Sequence, residues 1–348
     1  MKHPLRSVRA GILLGMSLLA LTGCGLFGKT ATNARLNLNR KSHSVNSPKV
    51  SLPGPVTVKG QTAKTATGLG GAIGVIIDNL PQARPQSGLS HASMVFEAPA
   101  EGGITRFLAL FWQAPASQIG PIRSTRIYFD QLAQGYQIPF AHAGGNVDAL
   151  KAIGPLHIEN LDQIYTPGIS QDFWRTTTRQ APHNLYTSTG KLLAAVAQKG
   201  YTLGPIPSWP VGTLQTGEPA RTVTVTFSGV EQARWIYHHG LYTRYEGQTE
   251  DLTLAGHPIT ARAVLCLVTP QSPDPDPYTP GSIKLAMTGQ GPGYLAADGH
   301  MVQVTWTREA GHPFVIETRS GHGLEPIPAP PVWVELIPYA SAVSASGS

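Results

Sequence analysis

From residue 222 onward the chain presents one short apolar run after another, with no stretch of helical periodicity between them. The runs lie at residues 223–227, 233–237, 241–245, 263–268, 283–287, 301–306, 314–317 and 332–337. Runs of four to eight residues rich in Val, Ile, Tyr and Trp, separated by Gly, Pro and Asp turn clusters, form strands. The spacing therefore predicts a mainly antiparallel β unit over residues 222–338, as a meander, sandwich or partial barrel. The Pro/Asp stretch 273–280 reads as an exposed loop, and residues 339–348 as a disordered tail.

Upstream the pattern is mixed. The β-branched run Ala72 to Ile77 predicts a buried strand ending at Asp78-Asn79. Met94 to Phe96 and Ile104 to Trp112 predict a hairpin with Glu97, Glu101 and Arg106 near its turn. Ser124 reads as the N-cap of a helix to about Gln134, Asn146 as the cap of a short helix stopped by Gly154-Pro155, and Thr187 or Ser188 as the cap of a third ended by Gly200. Strands and short helices together predict an α/β domain over residues 70–205, joined by a linker, 206–221, to the smaller β-rich domain.

The N-terminus reads as a targeting segment. Lys2, Arg6 and Arg9 precede an apolar run from Ala10 to Ala20, followed by Leu21-Thr22-Gly23-Cys24. Basic head, short apolar middle and small residues at the cut make residues 1–23 a signal peptide. Leu, two small residues and Cys resemble a bacterial lipobox, which implies cleavage before Cys24, a diacylated (palmitate-bearing) thiol and attachment to the outer face of the cytoplasmic membrane. Cys266 is the only other cysteine; it sits in an apolar run and reads as a small buried hydrophobe. The formal charge of +6 misleads when read whole, because Lys29, Arg35, Arg40, Lys41, Lys49, Lys59 and Lys64 crowd residues 25–66 without one acid. Residues 24–69 read as a disordered basic tether, and the rest of the chain carries no nucleic-acid-binding signature.

The chemistry-bearing residues concentrate in the first domain, above all in the run from Asp172 to Tyr186, DFWRTTTRQAPHNLY. Arg175 and Arg179, four apart, would share one side of a helical turn. Between residues 70 and 205 every arginine (Arg84, Arg106, Arg123, Arg126, Arg175, Arg179) falls in a turn, a strand end or a helix start. The guanidinium fork suits carboxylate or phosphate, so these residues, with His142, His183 and Asn184, are candidates for holding an anionic cell-wall ligand. Phe173 or Trp174 would supply an apolar wall. The plain alternative is structural pairing: Glu97 or Glu101 with Arg106, and Asp172 with Arg175. For catalysis the candidates are Glu97, Glu101, His142 and His183 as acid and base of a wall hydrolase or lyase. A scaffold for another envelope protein is a third reading. Without HExxH, CxxC or a close His pair in this domain, no metal is implied, and no cofactor either.

The strings IDNLPQARPQSGLSHA, EGGITRFLALF, GPIRSTR, HAGG and APHNLY resemble the YerB-like lipoproteins, a family described as a domain of unknown function with a distinct C-terminal domain. The resemblance runs over residues 70 to 338. It implies an extracytoplasmic lipoprotein with an α/β domain followed by a β-rich one, and no established activity.

Overall fold

The first strand, β1 (Ile73–Asp78), is buried along its whole length, as an unbroken apolar run must be when both faces of its sheet are covered. The computed structural model describes residues 68–319 and 323–347; the signal peptide, Cys24 and the tether up to residue 67 lie outside the described residues. After β1 come the hairpin β2 (Met94–Pro99) and β3 (Thr105–Phe111), then α1 (Ile127–Gly135), β4 (Phe140–His142), α2 (Val147–Ala152), β5 (Asn160–Asp162), the short pair β6 (Trp174–Arg175) and β7 (Leu185–Tyr186), and α3 (Thr189–Lys199). The second half adds β8 (Glu218–Pro219), β9 (Thr222–Thr226), β10 (Gln232–His238), β11 (Leu241–Glu246), β12 (Thr249–Glu250), β13 (Thr260–Ala261) and β14 (Ala263–Val268). It closes with β15 (Gln271–Pro273), β16 (Ile283–Leu285), β17 (Gly289–Ala297), β18 (His300–Arg308), β19 (Val315–Thr318), β20 (Val332–Ile337) and β21 (Val343–Ser346).

One mixed sheet runs β19-β18-β17-β14-β20-β2-β3-β1-β4-β5, with β8 beside β18. The two segments separated in the sequence reading share this sheet: β20 lies between β14 and β2, parallel to both. Val332–Ile337 is buried throughout, which suits a central strand. Strands β12-β11-β10-β9-β21, with β13 beside β11, form a second sheet. Strand dominates the described residues, so the expected α/β character reduces to three short helices set around a sheet.

Alternation gives the large sheet two cores. One face presents Val75, Ile77, Val95, Phe107 and Trp333 to α3 and to the second sheet (Val223, Val225, Trp235). The other presents Ile76, Phe96, Leu108 and Val334 to α1 (Tyr128, Phe129, Leu132), Leu214 and Ile327. Beneath residues 205–210 on this second face lies an apolar cavity of about 370 Å³.

Several expectations need correction. Arg126, not Ser124, is the N-cap of α1; the Ser124 hydroxyl instead donates to Ala143 O. Residues 172–186 are not helical beyond one 3-10 turn, Ser170–Asp172, and carry the β6–β7 pair. Residues 273–280 are the mostly exposed loop expected, but Asp274 and Asp276 within it are buried and anchored, Asp274 accepting from Asn146 Nδ2 at 3.0 Å and Asp276 from Val147 N at 2.9 Å. The tail contains β21, which adds to β9. The unforeseen β17 holds Gly289, Gly291, Pro292 and Gly293; Pro292 is tolerated because β14 pairs only with Gly293–Ala297, leaving the Pro nitrogen without a ladder partner to satisfy. By contrast Asn146 and Ser188 cap α2 and α3, and Gly200 closes α3 in the left-handed region.

A buried ion cluster couples the two sheets. Arg244 of β11, with no exposed side-chain surface, donates twice to Glu97 of β2 at 2.9 Å and also to Glu246 and Asp251. Its guanidinium sits 5.4 Å from the rings of Phe107 and Trp333. Removing one partner of such a cluster leaves charges buried and unmatched, at a cost of about 3–5 kcal/mol. Arg244→Met is therefore expected to lose that much unfolding free energy in urea titration, with the midpoint shifted and the slope retained.

Candidate functional site

The far ends of β1, β2 and β3 bring most of the chemistry together. Because side chains alternate, neighbours in sequence serve opposite faces. Asp78 and Arg106 are register partners on one face, while Asn79, Thr105 and Glu97 point to the other, where Thr105 Oγ1 donates to Glu97 at 2.7 Å and Asn79 Nδ2 donates to Thr105 Oγ1 at 2.7 Å.

On the first face, fully buried Asp78 is the hub. Its Oδ2 lies 2.7 Å from His183 Nδ1 and 3.2 Å from Arg123 Nε. Beside them Glu101 joins Arg106 at 3.0 Å and also Arg126. Burial works to raise the Glu101 carboxyl, but the two guanidinium charges outweigh it and hold it at about 2. Burial pulls the Arg123 guanidinium down from its ordinary range, and Asp78 works against that. Arg106 and Arg126 also donate to backbone, Arg106 Nη1 to Ser124 O at 3.0 Å and Arg126 Nη1 to Thr125 O at 2.6 Å, and Arg106 Nε is buried without a partner. Arg123 differs. Its Nε meets Asp78 as an ion pair without a hydrogen bond, no described residue accepts from its Nη1 or Nη2, and 22 % of its side chain is open to solvent. His183, 16 % open, likewise has Nε2 without a partner among the described residues. Three arginines against two carboxylates leave this cluster one positive charge in excess.

The nine candidates for anion binding thus divide. Arg106, Arg123, Arg126 and His183 form the cluster above. Arg84 turns to the opposite face, reaching Glu231 at 2.7 Å and Glu246 at 3.2 Å. Arg179 locks the 83–85 loop through Ala83 O and, at 2.6 Å, Pro85 O. Arg175 pairs with Asn184 Oδ1 at 2.8 Å rather than with Asp172, and Asn184 returns to Thr176 O. These three hold the loops that flank His183. His142 is excluded from the cluster: it is fully buried, its ring bonded to Gly144 O at 2.9 Å and to Asn160 Oδ1, and burial pushes its pKa down. Phe173 is buried and Trp174 stacks on Tyr186. Asp78 was read only as a strand end, although an acid at the carboxyl end of a buried strand is where ligand sites gather.

The acid–base candidates change accordingly. Glu97 is neutralised by Arg244, and Glu101 is held ionised between two arginines. His183, oriented by Asp78, is the one of the four that reaches solvent with an unpartnered nitrogen.

On the opposite face five acids (Glu97, Glu231, Glu246, Asp251, Glu335) meet two arginines, Arg84 and Arg244. One oxygen each of Glu97, Glu231 and Glu246 lies within 4.8 Å of the others, a spacing a cation would accept. Yet the Asn79 amide and both guanidinium groups already donate into that space, so protons fit the charge surplus better than a metal. Burial, then the hydrogen bond and charge of Glu246, push Glu231 up to about 9. Burial and the facing Glu97 raise Glu335 strongly.

Residues 60–202 match the family described as "Protein of unknown function (DUF3048) N-terminal domain", and residues 223–331 its C-terminal domain. The chain is similar to "Putative lipoprotein YerB" of Bacillus subtilis (strain 168), 29% identical over 287 residues, covering 79% of this chain and 83% of that protein. The crystal structure of YerB protein from Bacillus subtilis superposes with a TM-score of 0.72 at 29% identity, covering 82% of this chain and 97% of that one. The chain belongs to the YerB-like family. Among the described residues of this YerB-like chain, no helix is long and apolar enough to cross a membrane.

The Glu231 carboxyl sets a pH dependence. Its folded pKa lies above its unfolded value, so its proton stabilises the fold fully below about 4.5, and that contribution is lost as pH rises to about 9. Unfolding free energies measured across this window should decline for the parent chain and decline less for Glu231→Gln, which stays uncharged throughout.

Proposed function

We propose that the protein is a lipid-anchored extracytoplasmic protein on the outer face of the bacterial membrane whose Arg123–His183 site binds a singly charged anion of the cell envelope. The relative's name supports the lipoprotein part, together with the Cys24 lipobox, which lies outside the described residues. The observation that carries the binding part is the unfilled donor pair of Arg123 beside His183, both held on one oxygen of Asp78. A guanidinium fork with two free donors matches the two oxygens of a carboxylate or a phosphate. The single excess charge favours a monoanion: a wall-peptide carboxylate or the phosphodiester of a wall polymer.

Calorimetric titration of the full chain in detergent with an acetylated alanyl-alanine dipeptide and with glycerophosphoglycerol distinguishes the two sources. Arg123→Ala should weaken whichever binds by about tenfold or more, since hydrogen bonds to charged groups contribute about 1.5–3 kcal/mol; exposed Arg221→Ala should leave affinity within twofold. Equal affinity in Arg123→Ala refutes the site. Separately, Cys24→Ser should move the protein out of the membrane fraction of expressing cells, as read by immunoblot after high-speed sedimentation.

A further inference from the structure

We propose that this site also hydrolyses phosphodiesters, with His183 as the general base that activates the attacking water. The inference rests on the anion-binding reading and adds chemistry to it. Asp78 Oδ2 accepts from His183 Nδ1 at 2.7 Å, which fixes the tautomer with a proton on Nδ1 and leaves the lone pair on Nε2. That nitrogen has no partner among the described residues, and the side chain is 16 % open to solvent. Because Arg123 Nε and His183 Nδ1 share one carboxylate oxygen, a group gripped by the Arg123 fork lies next to the imidazole. Of the two monoanions that suit the fork, only the phosphodiester carries a hydrolysable bond at the gripped centre. A carboxylate gripped by its two oxygens offers only a C–C bond there.

The step balances without a further reactant. Water gives a proton to His183 Nε2 while its oxygen attacks phosphorus, and Arg123 holds the non-bridging oxygens as charge builds on them. The bond from phosphorus to the leaving alkoxide breaks on the side opposite the attack; the alkoxide takes a proton from solvent water, and the imidazolium gives its proton to the hydroxide so formed. The products are an alcohol and a phosphomonoester. Asp78 keeps its charge and its bond to Nδ1 throughout, as a positioning residue. No thiol or hydroxyl is needed as nucleophile, and Cys266, fully buried with its thiol pushed up by burial, is unsuited to the part.

The test uses the full chain in detergent with bis(p-nitrophenyl) phosphate, following nitrophenolate release. The parent should turn over, and His183→Ala should lower kcat by about 10²–10⁴-fold, partly restored by added imidazole; Arg123→Ala should both raise KM and lower kcat. Retention of the parent's circular dichroism shows that each variant is folded. Asp78→Asn lowers kcat without rescue by imidazole, because the imidazole is present but misoriented, and raises KM through the lost Arg123 anchor. A diester that binds in calorimetry but is never cleaved overturns the hydrolysis and leaves the binding site standing. Undiminished turnover in folded His183→Ala overturns it as well. Failure of any diester to bind removes the phosphodiester-binding reading and this inference with it.

Discussion

The structure depends on how one buried guanidinium is surrounded. Arg244 comes from the second sheet, its partner Glu97 from the middle of the large one, and neither exposes any side-chain surface. An isolated charge at such depth would be prohibitively costly. What makes it tolerable is the acid around its two outer nitrogens: Glu97 grips one with both oxygens, Glu246 and Asp251 take the other, and two aromatic rings close over the group, while Nε is left unpaired. Apolar residues of similar shape would hold two sheets together at least as well. A buried ion cluster does something packing cannot, in that it tolerates one register only. The Trp333 and Trp235 indoles enforce the same register by donating to Glu97 and Glu335.

That constraint reaches the surface through one dipeptide. Asn79 is drawn to the acids by its bonds to Thr105, Glu231 and Glu246, so the preceding residue, Asp78, must face the other way. There it collects His183 and Arg123. The loops that deliver those two residues are fixed independently: Arg179 ties the 176–184 loop to backbone at residues 83 and 85, and Ile122 N bonds Leu185 O at 2.7 Å. The ionic core and the candidate site are thus two sides of one strand end, and a register shift of one residue would exchange Asp78 for Asn79 at the centre of both.

Much of the secondary structure was legible in the sequence where local signals are strong. Ala263–Val268 and Val332–Ile337 coincide with their apolar runs because both are buried on two faces, and Asn146, Ser188 and Gly200 act as their side chains dictate. Strand β17 was hidden because two of its glycines are present for contact, not flexibility: a methyl on Gly291 would meet the Trp306 indole at 2.7 Å and one on Gly293 would meet Cys266 O at 2.9 Å. Asp274 and Asp276 looked like loop residues because their partners, Asn146 and Val147, are more than a hundred positions away. Arg244 could have been found, since it alternates in phase with buried Tyr242 on β11. The division of the arginines could not, because which donor meets which carbonyl is decided only by tertiary contact. His142 and His183 sit in similar polar, turn-bounded sequence contexts, yet one ends a buried parallel strand and the other a surface loop.

The distinction between structural and available arginines therefore rests on donors left over, not on burial or on sequence context. Arg106, Arg126, Arg179 and Arg244 are locked by acids or backbone carbonyls, and a ligand would have to break those bonds to use them. Arg84 is spent on Glu231, Glu246 and Asn79. Arg123 alone of these engages a partner through Nε and keeps its outer fork free, and the carboxylate that holds it also orients an imidazole. A lysine at that position would meet Asp78 and a ligand with the same single ammonium, with no planar pair of donors to face outward. A guanidinium can be anchored at one edge and still present two parallel donors at the other, which is the property that makes this end of the sheet suited to gripping an anion.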